Sequence, residues 1–432
     1  MGLTKHQQVL SVLEKRALRY RGRGGLQSSI TTDVNSIDET GTVDTRELTD
    51  SDSDGDLLSD GDSINNNNNL TAEQKELKEI QEVLQGVPDE LLKVHGVAPG
   101  AKPEGVTRMM YENSHGLNSR ISGNEKLDKA KELIDDLEVD IAAFSEHRLN
   151  MMHKDNRNGF SQMFKGGEAE IRSVAAHNVH EGKEVGRVQE GGTAMLCYGT
   201  LIEQYVMEES SKDESGLGRW VVMTFRGRDG LVTRVVCCYN PCYNNKPFSR
   251  TYYQQNRRYF ILKEKDTTCP RTRFREDLVT KLTAWREEGD RLIVCMDANE
   301  NIYKKSIGKA LTDPTGLAMR EVVGDFTGVP IGATYFRGSS PIDAVWATPD
   351  IEVVGACVMP CGFGIGDHRL FVRQRVWLES SHRGLFEQRR GGSTPSCQRS
   401  LNGMWRFWKR TCAPIEFRNE SERQPQVVPT SR

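Results

Sequence analysis

The chain has 432 residues, with 58 Lys and Arg against 61 Asp and Glu and a formal net charge of -3. So even an average says nothing about partners, and no run of 18 apolar residues exists to form a membrane span. The length fits one large domain or two, so the distribution of residue types along the chain has to decide.

The first 30 residues are basic (Lys5, Lys15, Arg16, Arg19, Arg21, Arg23) but lack the apolar core of a secretory signal. The opening Met1-Gly2 resembles a myristoylation site, yet His6 stands where Ser or Thr is needed. Residues 33–62 are dense in Asp and Glu, hold a single base, Arg46, and lead into an Asn run at 65–69. Such a stretch buries too little apolar surface to offset chain entropy, so 1–104 is expected to be a largely disordered, solvated, acidic and Asn-rich region. Within it one short helix is expected over 71–85. Thr71 and Gln74 form a capping box, Leu77, Ile80 and Leu84 make one stripe, and Gly86 ends it.

From 105 to 377 the pattern changes to that of a folded domain. VTRMMYEN reads as a strand reaching Asn113. Leu127, Ala130, Ile134 and Leu137 share one helical face, and VDIAAFSE follows as a buried strand with Glu146 at its end. GGTAMLCY, RWVVMTF and LVTRVVCCY continue as strands. Helices near 252–262 and 276–287 precede the strand RLIVCMD, and DAVWAT, IEVVGACV and HRLFVRQRVW close the domain. Many strands broken by few helices predict an α/β fold of two stacked mixed sheets flanked by helices. Residues 378–432 lose this pattern and turn basic, so a disordered tail is expected there. The cysteines are scattered, several fall in core strands, and Cys357 and Cys361 lack a second pair at zinc spacing; buried free thiols are expected.

Short polar motifs close several of these apolar runs: Asn113-Ser114-His115-Gly116, Ser145-Glu146, Tyr239-Asn240-Pro241, Asp297-Ala298-Asn299, Pro341-Ile342-Asp343 and Gly366-Asp367-His368. A buried strand ending in a carboxylate or amide delivers a reactive group to a sheet rim, a costly placement unless it binds a cation or a partner. The ordered series resembles the endonuclease/exonuclease/phosphatase superfamily over about residues 105–377, closest in look to retrotransposon-type and apurinic endonucleases. The resemblance implies a four-layer αββα sandwich with the active site at one end.

It also implies roles. Glu146 is the metal ligand and Asp367 a second carboxylate of the same site, with Mg2+ the expected ion and Mn2+ a substitute. His368 contacts the scissile phosphate and is oriented by Asp343. Asp297 orients and deprotonates the attacking water. Asn299, on the same side of an extended segment, holds that water or the phosphate. Tyr239 hydrogen-bonds the phosphate, and Asn113 positions phosphate or metal ligands. Tyr335 and Arg337, on a loop before Asp343, are candidate nucleic-acid contacts.

Two positions depart from the family. His115 stands where Asp or Asn is usual, which is expected to weaken a second metal site. Gly366 replaces a Ser, which is expected to remove one hydroxyl hydrogen bond. His177 and His180 have metal-like spacing but lie in a loop-like segment, and Trp405 to Arg410 mixes rings with cations in the tail. The expectation is an intracellular, nuclear, monomeric Mg2+-dependent phosphodiesterase acting on DNA as an endonuclease, without a membrane. The alternatives are an inositol-phosphate phosphatase and a weakly active mobile-element remnant that binds nucleic acid.

Overall fold

The computed structural model describes residues 88–376 apart from 118–124, 154–155, 157–158, 166–169, 182–185 and 228–229. The expected helix over 71–85, the acidic and Asn-rich segments and the Trp405–Arg410 cluster lie outside the described residues.

The strands are β1 (His95–Gly96), β2 (Val106–Asn113), β3 (Ile141–Ser145), β4 (Ile171–Ala176) and β5 (Thr193–Tyr198), then β6 (Ser211–Lys212), β7 (Trp220–Arg226) and β8 (Val232–Tyr239). After these come β9 (Arg291–Asp297), β10 (Arg320–Glu321), β11 (Asp343–Ala347), β12 (Gly355–Val358) and β13 (Phe371–Val376). The first sheet runs β1-β12-β13-β2-β3-β5-β4, and the second β10-β11-β9-β8-β7-β6. Each is antiparallel except at one central pair, β2 with β3 and β8 with β9.

A parallel pair needs a crossover, and helices supply both. Helix α1 (Glu125–Asp136) links β2 to β3, with Glu125 and Asp128 in the first turn, where the helix dipole favours acids. Between β8 and β9 lie α2 (Tyr252–Tyr259), which continues into a π-turn at Phe260–Glu264, and α3 (Pro270–Glu287). Helix α3 begins six residues before the expected 276, because Pro270 occupies a first-turn position where its missing N–H costs nothing.

Strand alternation builds the layers. Met109, Tyr111, Ile141, Ala143, Met195 and Cys197 face the second sheet and share one core with Met223, Val235, Cys237, Ile293 and Cys295. Their neighbours Met110, Ala142, Phe144, Ala194 and Leu196 face outward onto Ala130, Leu133 and Ile134 of α1. On the far side Phe274, Leu278, Leu282 and Trp285 of α3 cover the second sheet. The fold class is therefore the expected sandwich of two mixed sheets between helices.

Folded structure reaches further toward the N-terminus than residue 105. Leu91 packs against Ala333 and Cys361, Cys361 N donates to Leu91 O at 2.8 Å, and β1 adds to the sheet edge at β12. Every described cysteine is free, six of them buried. Among the described residues no helix is long and apolar enough to cross a membrane.

Candidate active site

The four parallel strands all end at the same edge of the sandwich, and this brings the motifs together. Asn113 stands opposite Ser145 at the last rung of β2–β3, and Tyr239 opposite Asp297 at the last rung of β8–β9. The neighbouring strand β11 runs the other way, so its first residue, Asp343, faces Asp297. Strand β13 likewise starts just after Asp367 and His368.

Asn113 joins the sheets. Its Nδ2 donates to Glu146 Oε2 at 3.0 Å and to Asp297 Oδ2 at 2.7 Å, while its Oδ1 accepts the His115 N–H at 2.9 Å. Glu146 follows β3 in a left-handed conformation (φ 51), which turns its carboxylate back over the rim. Arg148 holds the other oxygen, with Nη2 2.7 Å and Nε 2.9 Å from Glu146 Oε1, and also reaches Glu190 Oε2 at 3.0 Å.

The Asp343–His368 pair is fully formed. His368 Nδ1 lies 2.7 Å from Asp343 Oδ2, which also accepts from Thr334 Oγ1 at 2.7 Å. Burial opposes charge on the ring, but Asp343, by charge and by hydrogen bond, together with Asp297 and Asp367, raises His368 to about 10. The ring is therefore an imidazolium at neutral pH. Burial, and then the Asp343 charge, push Asp297 up to about 8, against His368 and the Asn299 and Asn113 hydrogen bonds. Asp297 thus resembles a base poised near working pH.

Asn299 is not on an extended segment. It is left-handed (φ 48), because Asp297 Oδ1 accepts its N–H at 2.8 Å and closes a tight Asx-turn. Its Nδ2 donates to Asn240 O at 2.7 Å and Asp297 Oδ2 at 3.3 Å, so it comes to Asp297 through the turn. Tyr239 is buried, stacks on Tyr252 with centroids 5.3 Å apart, and is pushed well above its usual pKa by burial and then by Glu146 and Asp297. It remains a hydroxyl donor. Tyr335 bridges to His368 by backbone pairing, with ring centroids 4.9 Å apart, and exposed Arg337 adds its charge beside the Tyr335 hydroxyl.

Sequence reasoning missed several supports. Arg148 stands two residues after Glu146, a spacing that was legible. Thr334 and Glu112 were not: Glu112 is fully buried, and its Oε1 accepts Ile365 N and Gly366 N, each at 2.8 Å, fixing the loop that carries Asp367 and His368. Gly366 also has a packing reason of its own. A Cβ there would lie 2.3 Å from Asn113 O, so the close approach of two backbones demands glycine and leaves no room for a hydroxyl. The His177–His180 spacing makes no metal site: His180 Nε2 is 2.7 Å from Ser215 O and its ring lies against Tyr259.

Two groups invite a divalent cation. Asp297, Asp343 and His368 offer ligand atoms within 4.8 Å of one another, but His368 Nδ1 and Asp343 Oδ2 are already engaged with each other. Glu146 and Asp367 are the second pair: Glu146 Oε1 is already held by Arg148 at 2.7 Å, and among the described residues no trio that includes these two brings its ligand atoms within 4.8 Å of one another. Glu146 Oε1 and Asp367 Oδ1 each lie 3.9 Å from His115 Nδ1, and Asp367 Oδ1 is buried without a hydrogen-bond partner. Burial works against the Asp367 charge, yet His115, His368 and Lys126 hold it below the usual carboxylate range. A buried carboxylate oxygen kept ionised and unpaired is what a hard cation satisfies.

No family model matches the chain, and no curated protein sequence matches it. Solved structures do. The chain is similar to members of the endonuclease/exonuclease/phosphatase superfamily. The human Nocturnin catalytic domain with bound sulfate is 14% identical, over 67% of this chain and 98% of that one, at TM-score 0.45. AP endonuclease LMAP from Leishmania major is 12% identical, over 71% and 99%, at 0.46. An endonuclease/exonuclease/phosphatase family protein from Bacteroides thetaiotaomicron is 12% identical, over 62% and 97%, at 0.39. At such scores only the side-chain geometry of this chain bears on its chemistry.

Proposed function

We propose that the chain is a divalent-cation-dependent phosphodiester hydrolase, with Mg2+ or Mn2+ as the ion and DNA, cut internally, as the substrate. One observation carries this: a buried Asp343–His368 pair at 2.7 Å shares one edge of the two-sheet sandwich with Asp297, Asn113 and the Glu146–Asp367 carboxylates. Phosphodiesters resist attack because their charge repels nucleophiles and their alkoxide leaves poorly. The rim offers an answer to both difficulties.

Glu146 and Asp367 would hold the cation, which supplies charge neutralisation at the phosphate and the leaving oxygen. Asp297 takes the proton of the attacking water, with Asn113 and Asn299 fixing the direction of its carboxylate. His368 presents an imidazolium to a non-bridging oxygen, and Asp343 keeps the ring charged and oriented. The Tyr239 hydroxyl donates to another phosphate oxygen, while Tyr335 and Arg337 flank the path of the strand. All these groups fall within 88–376, which we take as the catalytic unit.

The test is direct. The full chain is incubated with supercoiled plasmid, linear duplex, RNA and inositol polyphosphates, with Mg2+, Mn2+ or EDTA. Cation-dependent nicking of plasmid is expected. Release of inorganic phosphate from inositol polyphosphates without nicking would replace the nuclease reading by a phosphatase, and inactivity on all four would overturn the hydrolase.

A further inference from the structure

The loop that follows Tyr239 carries groups that no role above uses. Residues 230–263 hold no Asp or Glu, and within them Lys246, Arg250 and Arg257 are exposed. Two aromatic rings stand among these cations, Phe248 at 95% exposure and Tyr243 at 62%. The stem of the loop is fixed to the catalytic edge. Asn240 N donates to Asp297 O at 3.0 Å, Asn240 Nδ2 to Ala298 O at 2.8 Å, and Arg271 Nη1 to Pro241 O at 3.3 Å. Its far end is fixed too, since Arg258 Nη1 donates to Ser249 O at 3.0 Å. Held at both ends, the loop carries Phe248 in a left-handed backbone (φ 62), which a side chain of this bulk rarely adopts. Tyr243 is braced edge-on by Tyr253, with centroids 5.3 Å apart. It lies four residues beyond Tyr239, so their Cα atoms are within roughly 14 Å of each other. That is about four stacked nucleotides of a strand whose phosphate meets Tyr239. A single exposed ring is ordinary on any surface. Two rings interleaved with cations, on a braced loop at the catalytic edge, have the make-up of a single-strand track.

We propose that loop 242–250 is a nucleobase platform, on which Tyr243 and Phe248 stack bases of an unpaired strand while Lys246 and Arg250 contact its phosphates. Every base has a π-face, and an aromatic side chain reaches that face only when the base has left the duplex stack. The loop therefore directs the site toward single-stranded nucleotides beside the cut rather than toward continuous duplex. A lipid surface would also accept a Phe among cations. The attachment of the loop to the Asp297 end of β9 favours nucleic acid, because it sets the rings along the polymer whose phosphodiester the site would cleave. The inference rests on the nucleic-acid reading of the proposed function, but not on turnover or on the cation.

The test reads stacking without cleavage. Full-length protein, in EDTA and low salt, is titrated into single-stranded DNA carrying 2-aminopurine and into the same sequence as duplex. Tighter binding to the single strand is expected, with quenching of the 2-aminopurine as it stacks. Phe248→Ala is expected to weaken single-strand binding by about tenfold and to leave duplex binding within about twofold, and Phe248→Trp to restore it. Lys246→Gln combined with Arg250→Gln is expected to weaken binding to both polymers and to reduce the salt dependence by about two phosphate contacts. Thermal unfolding confirms that each variant is folded. No binding to the single strand, equal affinity for the two polymers, absence of quenching, or unchanged single-strand affinity in Phe248→Ala would overturn the proposal. So would Phe248-dependent binding to phosphatidylserine vesicles with no such dependence on DNA, which would assign the loop to a lipid surface. A protein that stacks single strands through Phe248 yet cuts nothing would refute the hydrolase and leave this inference standing.

Discussion

Asn113 and Asp297 belong to different sheets, and the Asn113 amide spans the gap at 2.7 Å while its second hydrogen reaches Glu146 at 3.0 Å. One neutral side chain thereby holds two carboxylates in place without adding charge. Removing it leaves both oxygens buried without that donor. Asn113→Ala is expected to cost about 1–3 kcal/mol in urea unfolding and to lower hydrolysis by at least about tenfold. An unchanged rate would mean that the amide does not set the Asp297 geometry.

Asp343 and His368 are expected to act as one unit. Their pairing raises the ring to about 10, so its contribution to stability is complete below about 6.5 and is lost as pH rises through about 10. Asp343→Asn removes the charge that raises both His368 and Asp297, so both limbs of the rate profile are expected to shift to lower pH. Asp343→Asn and His368→Ala together are expected to cost little more than His368→Ala alone. Additive losses in that cycle would separate the two residues.

Glu112 makes a different pH prediction, one that concerns stability alone. Burial raises it to about 7, against the hydrogen bonds from Gly366 and Ile365. A carboxyl raised on folding stabilises fully below about 4.5, and that contribution fades as pH climbs through 7. Glu112→Gln retains an oxygen to accept the two N–H groups but has no proton to lose. The difference in unfolding free energy between wild type and variant is therefore expected to change by up to about 3 kcal/mol between pH 4.5 and 8. A constant difference across that range would show that Glu112 ionises freely in the fold.

Arg148 neutralises Glu146 directly, with contacts at 2.7 and 2.9 Å. Replacing it by Met removes a positive charge from the cation site. Calorimetry is expected to show tighter divalent binding, by about fivefold or more, together with a raised KM for an anionic substrate. Weaker cation binding in Arg148→Met would assign the arginine a purely structural role.

How much of this was legible before folding depended on whether a signal was local. The strands carrying Asn113, Tyr239 and Asp297 were readable because each is a β-branched or apolar run ending in one polar residue, and the strand of Asp343 because it is an apolar run that opens on one. The short edge strands β1, β6 and β10 were not, since two residues carry no period and their pairing is set by the neighbouring strand. Asn299 misled because the Asx-turn depends on the Asp297 side chain rather than on an extended backbone. Glu112 and Gly366 were hidden for a third reason. Their contact joins positions 254 apart, and no pattern along the chain records a carboxylate facing a glycine from the other end of the domain.

Single-turnover nicking of supercoiled plasmid tests most directly whether Asp297 takes the proton of water at a cation-charged phosphate. With wild-type enzyme in excess, nicking is expected in Mn2+ or Mg2+ and none in EDTA. Asp297→Asn, which keeps the shape and loses the base, is expected to slow the step by about 100- to 10,000-fold. Nicking that persists in EDTA, or proceeds at the wild-type rate in a folded Asp297→Asn protein, would contradict the assignment.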